Sequence, residues 1–152
     1  MNKVKTYVIA ILIPLIVGGV VGFITSPAMD YSSLEKPFLA PPSFLFPIVW
    51  TILYVLMGVS YGILKSNGLT DADIDKSYYL QLAVNALWSI FFFSLEWRLF
   101  AFVWIILLLV LVVNMTLKFY EKNRLAGWLQ VPYILWVLFA SYLNIAIYIL
   151  NR

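Results

Sequence analysis

The chain has 152 residues, of which 64% are hydrophobic and only 11% are charged. A soluble domain is about 45–50% apolar and about 25% charged, and 10 basic with 7 acidic side chains are too few to cover the surface of a soluble fold. Disorder is excluded as well, because it requires low hydrophobicity and high charge. The composition therefore predicts an integral membrane protein in direct contact with the lipid bilayer.

The absence of cysteine and histidine limits the chemistry that the protein can perform. The chain contains no cysteine and no histidine, which removes disulfides, thiol chemistry, the commonest metal ligand and the usual base at physiological pH. No carboxylate falls inside an apolar segment, so we predict no metal site, no required cofactor and no proton relay. A net charge of +3 without a basic run argues against nucleic acid as a partner.

Five uncharged stretches are long enough to cross a bilayer. A spanning helix needs about 20 apolar residues, and backbone groups that cannot bond to lipid must pair within the helix. The sequence therefore predicts an all-α integral membrane protein, a five-transmembrane-helix bundle forming one domain over residues 1–152. The predicted spans are residues 7–24, 44–64, 77–95, 99–117 and 125–150.

The distribution of basic residues predicts the orientation of the bundle. Seven of the ten lysines and arginines lie at the N-terminus and in the second and fourth loops, and three lie in the other loops and at the C-terminus. Because short cytoplasmic loops carry the excess of basic residues, we expect a cytoplasmic N-terminus and an external C-terminus in a bacterial cell (inner) membrane.

The first loop, residues 27–43, is rich in proline. It contains Pro27, Pro37, Pro41 and Pro42, four of the seven prolines in the chain. Proline fixes φ and biases the preceding residue towards extended geometry, and a long loop without regular structure is often a lid or a binding loop. We predict a stiff cap over the outer end of the bundle; the alternative is a simple connector.

Three spans carry aromatic and polar side chains at three- and four-residue spacing, which places each set on one helical face. Polar groups are costly inside a membrane, so the faces that carry Asn85 and Asn144 are expected to point inward. At 1.5 Å per residue, Trp50, Trp88 and Asn144 lie about 9–10 Å from the outer ends of their spans. The faces comprise Phe46, Trp50, Tyr54, Met57 and Tyr61 in the second span, Gln81, Asn85, Trp88, Ser89 and Phe92 in the third, and Pro132, Trp136, Ala140 and Asn144 in the fifth.

These faces predict a small-molecule pocket in the outer half of the bundle, beneath the proline loop. An apolar, aromatic cavity with a few amides is the usual composition of such a site. The alternative is that the aromatic residues only pack, or belong to the interfacial belt. That interpretation fits Trp97, Trp104 and Trp128, which lie near span ends.

Several motifs resemble those of one known family. The first loop and second span carry Leu34-Glu35-Lys36-Pro37, Pro41-Pro42 and the run from Trp50 through Leu53-Tyr54 to Met57-Gly58, which resemble a signature of the form L-x-K-P…P-P…W-x-x-L-Y-x-x-M-G. The chain is similar over almost its whole length to the tryptophan-rich sensory protein / translocator protein family, also called the peripheral-type benzodiazepine receptor family. Further matches are Gln81, Asn85, Trp88-Ser89 and Phe91-Phe92 in the third span, and Ala126-Gly127-Trp128, Pro132-Tyr133, Trp136, Phe139-Ala140 and Leu143-Asn144 in the fifth.

The resemblance implies a five-helix bundle, often a homodimer, that binds porphyrins and, in some members, sterols and isoquinoline or benzodiazepine ligands beneath the first loop. It implies ligand contacts at Trp50 and Trp136, with Asn85, the loop proline Pro41 and the small residue Ala140 beside them. Where the family often has Trp-Tyr before the loop motif, this chain has Asp30-Tyr31, which changes one rim group of the expected pocket. The expected ligand contacts are Tyr31, Pro41, Phe46, Trp50, Tyr54, Asn85, Trp88, Ser89, Phe92, Trp136, Ala140 and Asn144.

Three functions remain open at this point. The favoured one is a membrane sensor or transporter that binds a porphyrin such as protoporphyrin IX. The second is an enzyme that degrades porphyrin in light, a property that the resemblance attributes to Trp50 and Trp136. The third is a structural or interaction subunit whose aromatic residues only pack.

Overall fold

The computed structural model describes residues 2–25 and 33–152, and it is helical almost throughout these ranges. The helices are α1 (Lys3–Thr25), α2 (Leu45–Ser66), α3 (Ala72–Ser89), α4 (Arg98–Lys122), α5 (Arg124–Trp128) and α6 (Val131–Asn151). The described residues form no strand. The predicted ligand contact Tyr31 and the first residues of the proline loop lie outside the described residues. The prediction of an all-α membrane bundle is confirmed.

Four helical segments are long and apolar enough to cross a membrane: α1, α2, α4 and the α5–α6 pair. Helix α3 is shorter and begins with Asp73, Asp75 and Lys76, so its first turns are polar. A π-helical turn over Ile90–Ser94 follows α3 and lengthens its apolar segment. In this turn the Leu95 N–H donates to the Ile90 carbonyl at 2.9 Å. The third predicted span is therefore built from two kinds of helix.

The structure divides the fifth predicted span into α5 and α6, with a turn at Leu129 and Gln130. Proline lacks an N–H group and is accommodated only in the first turn of a helix. Pro132 lies in the first turn of α6, so the chain cannot continue α5 without a break. The short helix α5 begins at an N-cap in which the Asn123 side chain accepts from the Ala126 N–H.

Helices α1 and α2 pack in close contact, and glycine makes the approach possible. A Cβ atom placed on Gly58 would lie 2.5 Å from Ile11 Cα and 2.6 Å from the Ala10 carbonyl oxygen, and one on Gly62 would lie 2.7 Å from the Tyr7 ring. These contacts fix α1 antiparallel to α2 over the first half of α1. Small residues commonly permit such close packing in membranes.

Helix α4 packs on α3 and on α6 through one fully buried stripe. Ion pairs join the end of α4 to the start of α3: Lys118 Nζ lies 2.8 Å from Asp73 Oδ1, and Lys122 Nζ lies 3.3 Å from Asp71 Oδ2. The ion pairs therefore place the last turns of α4 beside the start of α3, at one end of the bundle. The buried stripe of α4 consists of Ala101, Ile105, Leu108, Val112, Met115 and Phe119.

The described part of the first loop lies along the C-terminal half of α6. Asn151 Nδ2 donates to the Glu35 carbonyl at 2.9 Å, and its Oδ1 accepts from the Glu35 N–H at 3.0 Å. About two and a half turns earlier in α6, the Tyr142 hydroxyl donates to the Phe38 carbonyl at 2.6 Å. Pro41 is buried. These contacts hold the loop at the end of the bundle where α6 ends.

Candidate functional site

A chain of buried hydrogen bonds joins α2, α3 and α6 in the middle of the bundle. The Tyr54 hydroxyl donates to Asn85 Oδ1 at 2.8 Å, and Asn85 Nδ2 donates to the Tyr133 hydroxyl at 2.6 Å. The Tyr133 hydroxyl in turn donates to Gln81 Oε1 at 2.7 Å. All four side chains are buried, and the prediction that the Asn85 face points inward is confirmed.

A second buried link lies closer to the end of the bundle that the first loop contacts. The Trp88 indole N–H donates to Asn144 Oδ1 at 2.9 Å, and Asn144 Nδ2 donates to the Arg98 carbonyl at 2.8 Å. Asn144 is fully buried, so its face also points inward as predicted. The Arg98 guanidinium lies 5.3 Å from the centre of the Phe92 ring, which closes this end of the site with a cation over an aromatic face.

An aromatic cavity of ≈390 Å³ lies between α1, α2 and the end of α3, and we call it the α1–α2 cavity. Its size is within the range of about 300–1,000 Å³ that is typical of small-molecule sites. The Trp50 ring stacks on Tyr54 with a centroid distance of 5.6 Å and an interplanar angle of 26°. The main lining residues are Leu15, Gly18, Gly19, Gly22 and Thr25 from α1, Phe46, Trp50 and Tyr54 from α2, and Trp88, Ser89 and Phe93.

Trp136 lies on the other side of Trp50. The two indoles meet edge to face, with centroids 6.3 Å apart and an interplanar angle of 90°. Trp136 lines an apolar groove of ≈410 Å³ between α2 and α6, together with Leu53 and Phe139. Its indole nitrogen is buried and has no hydrogen-bond partner among the described residues. Trp50 lines the α1–α2 cavity and Trp136 lines this groove, which we call the α2–α6 groove, so the two spaces adjoin where the indoles meet.

A gap of only ≈20 Å³ lies behind the α1–α2 cavity. Phe46, Trp88 and Phe93 line both spaces, so movement of one of these rings would join them. On the far side of the gap, Ala140 contributes a methyl group and Asn144 an amide. The Phe92 ring also lines the gap.

The described residues among the predicted site residues thus lie in five places. Phe46, Trp50, Tyr54, Trp88 and Ser89 line the α1–α2 cavity, whereas Phe92, Ala140 and Asn144 line the gap behind it. Asn85 lies behind the Tyr54 hydroxyl, and Trp136 lies in the α2–α6 groove. Pro41 is buried in the first loop.

The sequence reasoning missed the contribution of α1 to the cavity and the role of Tyr133. The Gly18-xxx-Gly22 pattern could have indicated that α1 lines the cavity. Small residues allow close approach of another helix, but they also leave space beside their own helix. A Cβ atom on Gly18 would overlap the Tyr54 ring, while one on Gly22 would meet no atom within 4 Å. Tyr133 is one helical turn from Trp136, so the inward helical face could have included it.

The geometry defines a class of protein: a helical membrane protein with an aromatic small-molecule cavity backed by a buried amide–phenol network. A sequence profile of the TspO/MBR family matches residues 10–150. The tryptophan-rich protein TspO of Archaeoglobus fulgidus is 40% identical over 99% of both chains. Protein CrtK of Rhodobacter capsulatus is 38% identical over 88% of this chain and 85% of its own, and the human translocator protein is 33% identical over 78% and 72%. The chain belongs to the TspO/MBR family.

Proposed function

We propose that the protein is a membrane receptor for porphyrins, tetrapyrroles of the protoporphyrin IX type, and that it acts as a sensor or transporter. The observation that carries the proposal is the α1–α2 cavity, whose walls combine five aromatic side chains with the open backbone surface of Gly19 and Gly22. A flat, apolar macrocycle can lie against the glycines with one face and against aromatic rings with the other. The names of the relatives, sensory protein and translocator protein, support the two modes of action.

Affinity in this proposal comes mainly from ring contacts. Offset or edge-to-face aromatic pairs contribute about 0.5–1.5 kcal/mol beyond the area that they bury. Trp50 and Trp88 present their rings to the cavity, and Trp88 is held in place by its bond to Asn144. A porphyrin larger than the resting cavity would displace Phe46 or Trp88 and extend into the gap towards Ala140.

Sterols and isoquinoline or benzodiazepine compounds are further ligands in this proposal. They share with porphyrins a rigid apolar body and few polar groups, which suits both the α1–α2 cavity and the α2–α6 groove. No resident cofactor is needed for binding. We place the protein in a bacterial cell membrane with its N-terminus in the cytoplasm, on the basis of the basic end formed by Lys65, Lys118 and Lys122.

Titration of the purified protein with protoporphyrin IX tests the proposal, with porphyrin absorbance and fluorescence as the readouts. Trp50→Ala is expected to weaken binding in the dark by about 2- to 12-fold or more, from the loss of one ring pair. The matched control is Trp128→Ala, because Trp128 is 62% exposed and lies against Tyr120 rather than in the cavity. If the parent shows no saturable binding, the protein is not a porphyrin receptor, and the packing interpretation gains weight.

Illumination separates the alternative of porphyrin breakdown from simple binding. The observation that favours this alternative is the direct contact between the Trp50 and Trp136 indoles, since indoles are oxidisable. Light-dependent loss of porphyrin absorbance that disappears in Trp50→Phe, while binding in the dark persists, would assign chemistry to the indole. Stable absorbance in light would leave a receptor without this activity.

A further inference from the structure

Arg98 is the first residue of α4, and its guanidinium forms no ion pair within the part of the chain that the structure describes. The ion pairs of this part lie at the opposite end of the bundle, where lysines of α4 meet aspartates at the start of α3. The Arg98 Nε atom is buried and has no hydrogen-bond partner among the described residues. A half-buried cation without a counter-ion is costly, and the positive end of the α4 dipole adds to the cost.

The Arg98 side chain packs against the aromatic wall of the candidate site. Its guanidinium carbon lies 5.3 Å from the centre of the Phe92 ring, which is only 3% exposed. Phe92 stacks on Trp88 with a centroid distance of 5.3 Å and an interplanar angle of 25°, and Trp88 lines the α1–α2 cavity. An arginine that serves only to contact lipid phosphates extends its charged group away from the bundle, whereas Arg98 holds it over a buried ring.

The backbone at Arg98 is fixed by a neighbour that also lines the gap behind the cavity. Asn144 Nδ2 donates to the Arg98 carbonyl at 2.8 Å, and this bond does not involve the guanidinium. Asn144 and Phe92 both line the gap, and Arg98 contacts both of them. A ligand that extends from the α1–α2 cavity into the gap therefore approaches the guanidinium.

We propose that Arg98 binds a carboxylate of the apolar ligand that occupies the α1–α2 cavity. The inference rests on the proposed porphyrin receptor function and adds to it an acidic group that the ligand must carry. Protoporphyrin IX has its propionate carboxylates on one edge of the ring, and its opposite edge is apolar. That distribution matches aromatic walls that lead to an unpaired guanidinium. Arginine suits this position, because its planar fork of N–H groups matches the two oxygens of a carboxylate.

The acidic side chains described at this end of the bundle leave Arg98 available to a ligand. Glu35 lies in the first loop and Glu96 lies just before α4, and both are exposed. Neither forms an ion pair with Arg98. An incoming carboxylate therefore gains the interaction with Arg98 without displacing either of these residues.

Titration with protoporphyrin IX and with its dimethyl ester tests the proposal, because the ester keeps the ring and removes the negative charges. Binding to the purified parent and variants is followed in the dark by porphyrin fluorescence, in dodecyl maltoside, a detergent without phosphate. Comparison of each compound across the variants cancels the difference in how the two compounds partition into detergent.

We expect Arg98→Met to weaken binding of the acid about 5- to 30-fold, less than a fully buried hydrogen bond to a charged group provides. Binding of the ester should stay within about 2-fold of the parent. Arg98→Lys keeps the charge but loses the fork, so its affinity for the acid should be intermediate. The matched control is Arg152→Met, which removes an exposed cation at the same end of the bundle and should change neither affinity.

The proposal is overturned if Arg98→Met weakens binding of acid and ester equally, which would assign a structural role to Arg98, or if it changes neither. A repeat in phosphatidylcholine vesicles distinguishes the ligand carboxylate from a lipid phosphate. If the effect of Arg98→Met on the acid is present in maltoside but lost in the vesicles, lipid occupies the guanidinium and the proposal also fails. In these cases binding by the parent would still support a porphyrin receptor, whereas no saturable binding of either compound would overturn both proposals.

Discussion

The Tyr133 hydroxyl carries two roles in the buried network, because it accepts from Asn85 and donates to Gln81. Asn85 and Gln81 lie one turn apart on α3, and Tyr133 is the only contribution of α6 to this set of bonds. A phenol is well suited to the position, since its single O–H group satisfies a donor and an acceptor at once. The network therefore fixes α6 against α3 at a defined height.

Removal of that one oxygen is expected to destabilise the protein. Tyr133→Phe leaves Asn85 Nδ2 and Gln81 Oε1 buried without partners, and each unsatisfied group costs about 1–3 kcal/mol, less where a membrane protein can rearrange. We expect a lower Tm for the purified protein in detergent. Tyr120→Phe is the control, because Tyr120 is exposed and its hydroxyl makes no hydrogen bond in the described chain. Equal Tm values for the two variants would contradict the role assigned to Tyr133.

At the scale of helices, the α1–α2 pair depends on backbone contact at Gly58. Gly58→Ala is expected to push α1 away from α2 and to lower Tm, since the new methyl group would meet the Ile11 and Ala10 backbone and backbone cannot move aside as a side chain can. Gly19→Ala on α1 is the matched control, because a Cβ atom there meets nothing within 4 Å. That control should gain up to about 1 kcal/mol from helix propensity. A drop in Tm of similar size for both variants would argue against a specific contact at Gly58.

Helix α3 begins at a titratable N-cap. The Asp71 carboxylate accepts from the Ile74 N–H at 2.8 Å. This backbone hydrogen bond, assisted by the Lys122 ammonium, holds the pKa of Asp71 below its usual range. A carboxyl whose pKa is lowered by folding stabilises the folded state above its unfolded pKa of about 3.9, and the contribution is lost as the pH falls through the folded pKa.

The protein is therefore expected to lose part of its stability below about pH 4 through Asp71. Asp71→Asn keeps an oxygen acceptor for the cap but cannot titrate, so its Tm should fall less steeply than that of the parent between neutral and acid pH. Thermal unfolding of both proteins at a series of pH values measures the difference. Parallel curves would mean that the cap makes no pH-dependent contribution.

For the whole molecule, the expected orientation is open to a direct test. The antiparallel helices place Lys65, Lys118 and Lys122 at one end, and Arg152 lies at the other. With the basic end in the cytoplasm, a reporter that is active only in the cytoplasm should be silent when fused after Arg152 in a bacterial host. The same reporter fused before Met1 should be active. A bright C-terminal fusion would reverse the orientation or indicate that both orientations occur.

Much of the fold was predictable from the sequence, because it depends on two properties that can be read from short segments. These are the length of each apolar segment and the cost of placing an amide side chain in lipid. They predicted the helical bundle and the inward faces of Asn85 and Asn144. The π-helical turn at Ile90–Ser94 was not predictable, since it alters the register of Phe92 and Phe93 without changing the apolar pattern. The N-cap at Asp71 places the start of α3 outside the uncharged stretch.

The sequence predicted a set of candidate side chains, but it could not predict the shape of the cavity that several of them line. Trp50 and Trp136 were expected to face one ligand, yet in the structure Trp50 lines the α1–α2 cavity and Trp136 lines the α2–α6 groove, although their rings touch. Which of the two spaces each indole lines depends on how α2 packs against α1 and α6. The residue types alone do not determine that packing. The glycines of α1 contribute to the cavity because they have no side chains to fill it. A search of the sequence for functional side chains does not find such residues.

Gly19, Pro47 and Thr51 are exposed residues on the border of the α1–α2 cavity, and Gly19 lies six residues, about 9 Å, below the outer end of α1. A rim at this depth of a membrane-spanning helix meets hydrocarbon rather than bulk water, so the apolar ligand that we propose would arrive by lateral diffusion within one leaflet. The concentration that governs occupancy is then the ligand's mole fraction in lipid, which is set by its partition coefficient. An apparent Kd expressed per volume of water will consequently rise in proportion to the amount of lipid or detergent added, even though every contact inside the cavity is unchanged.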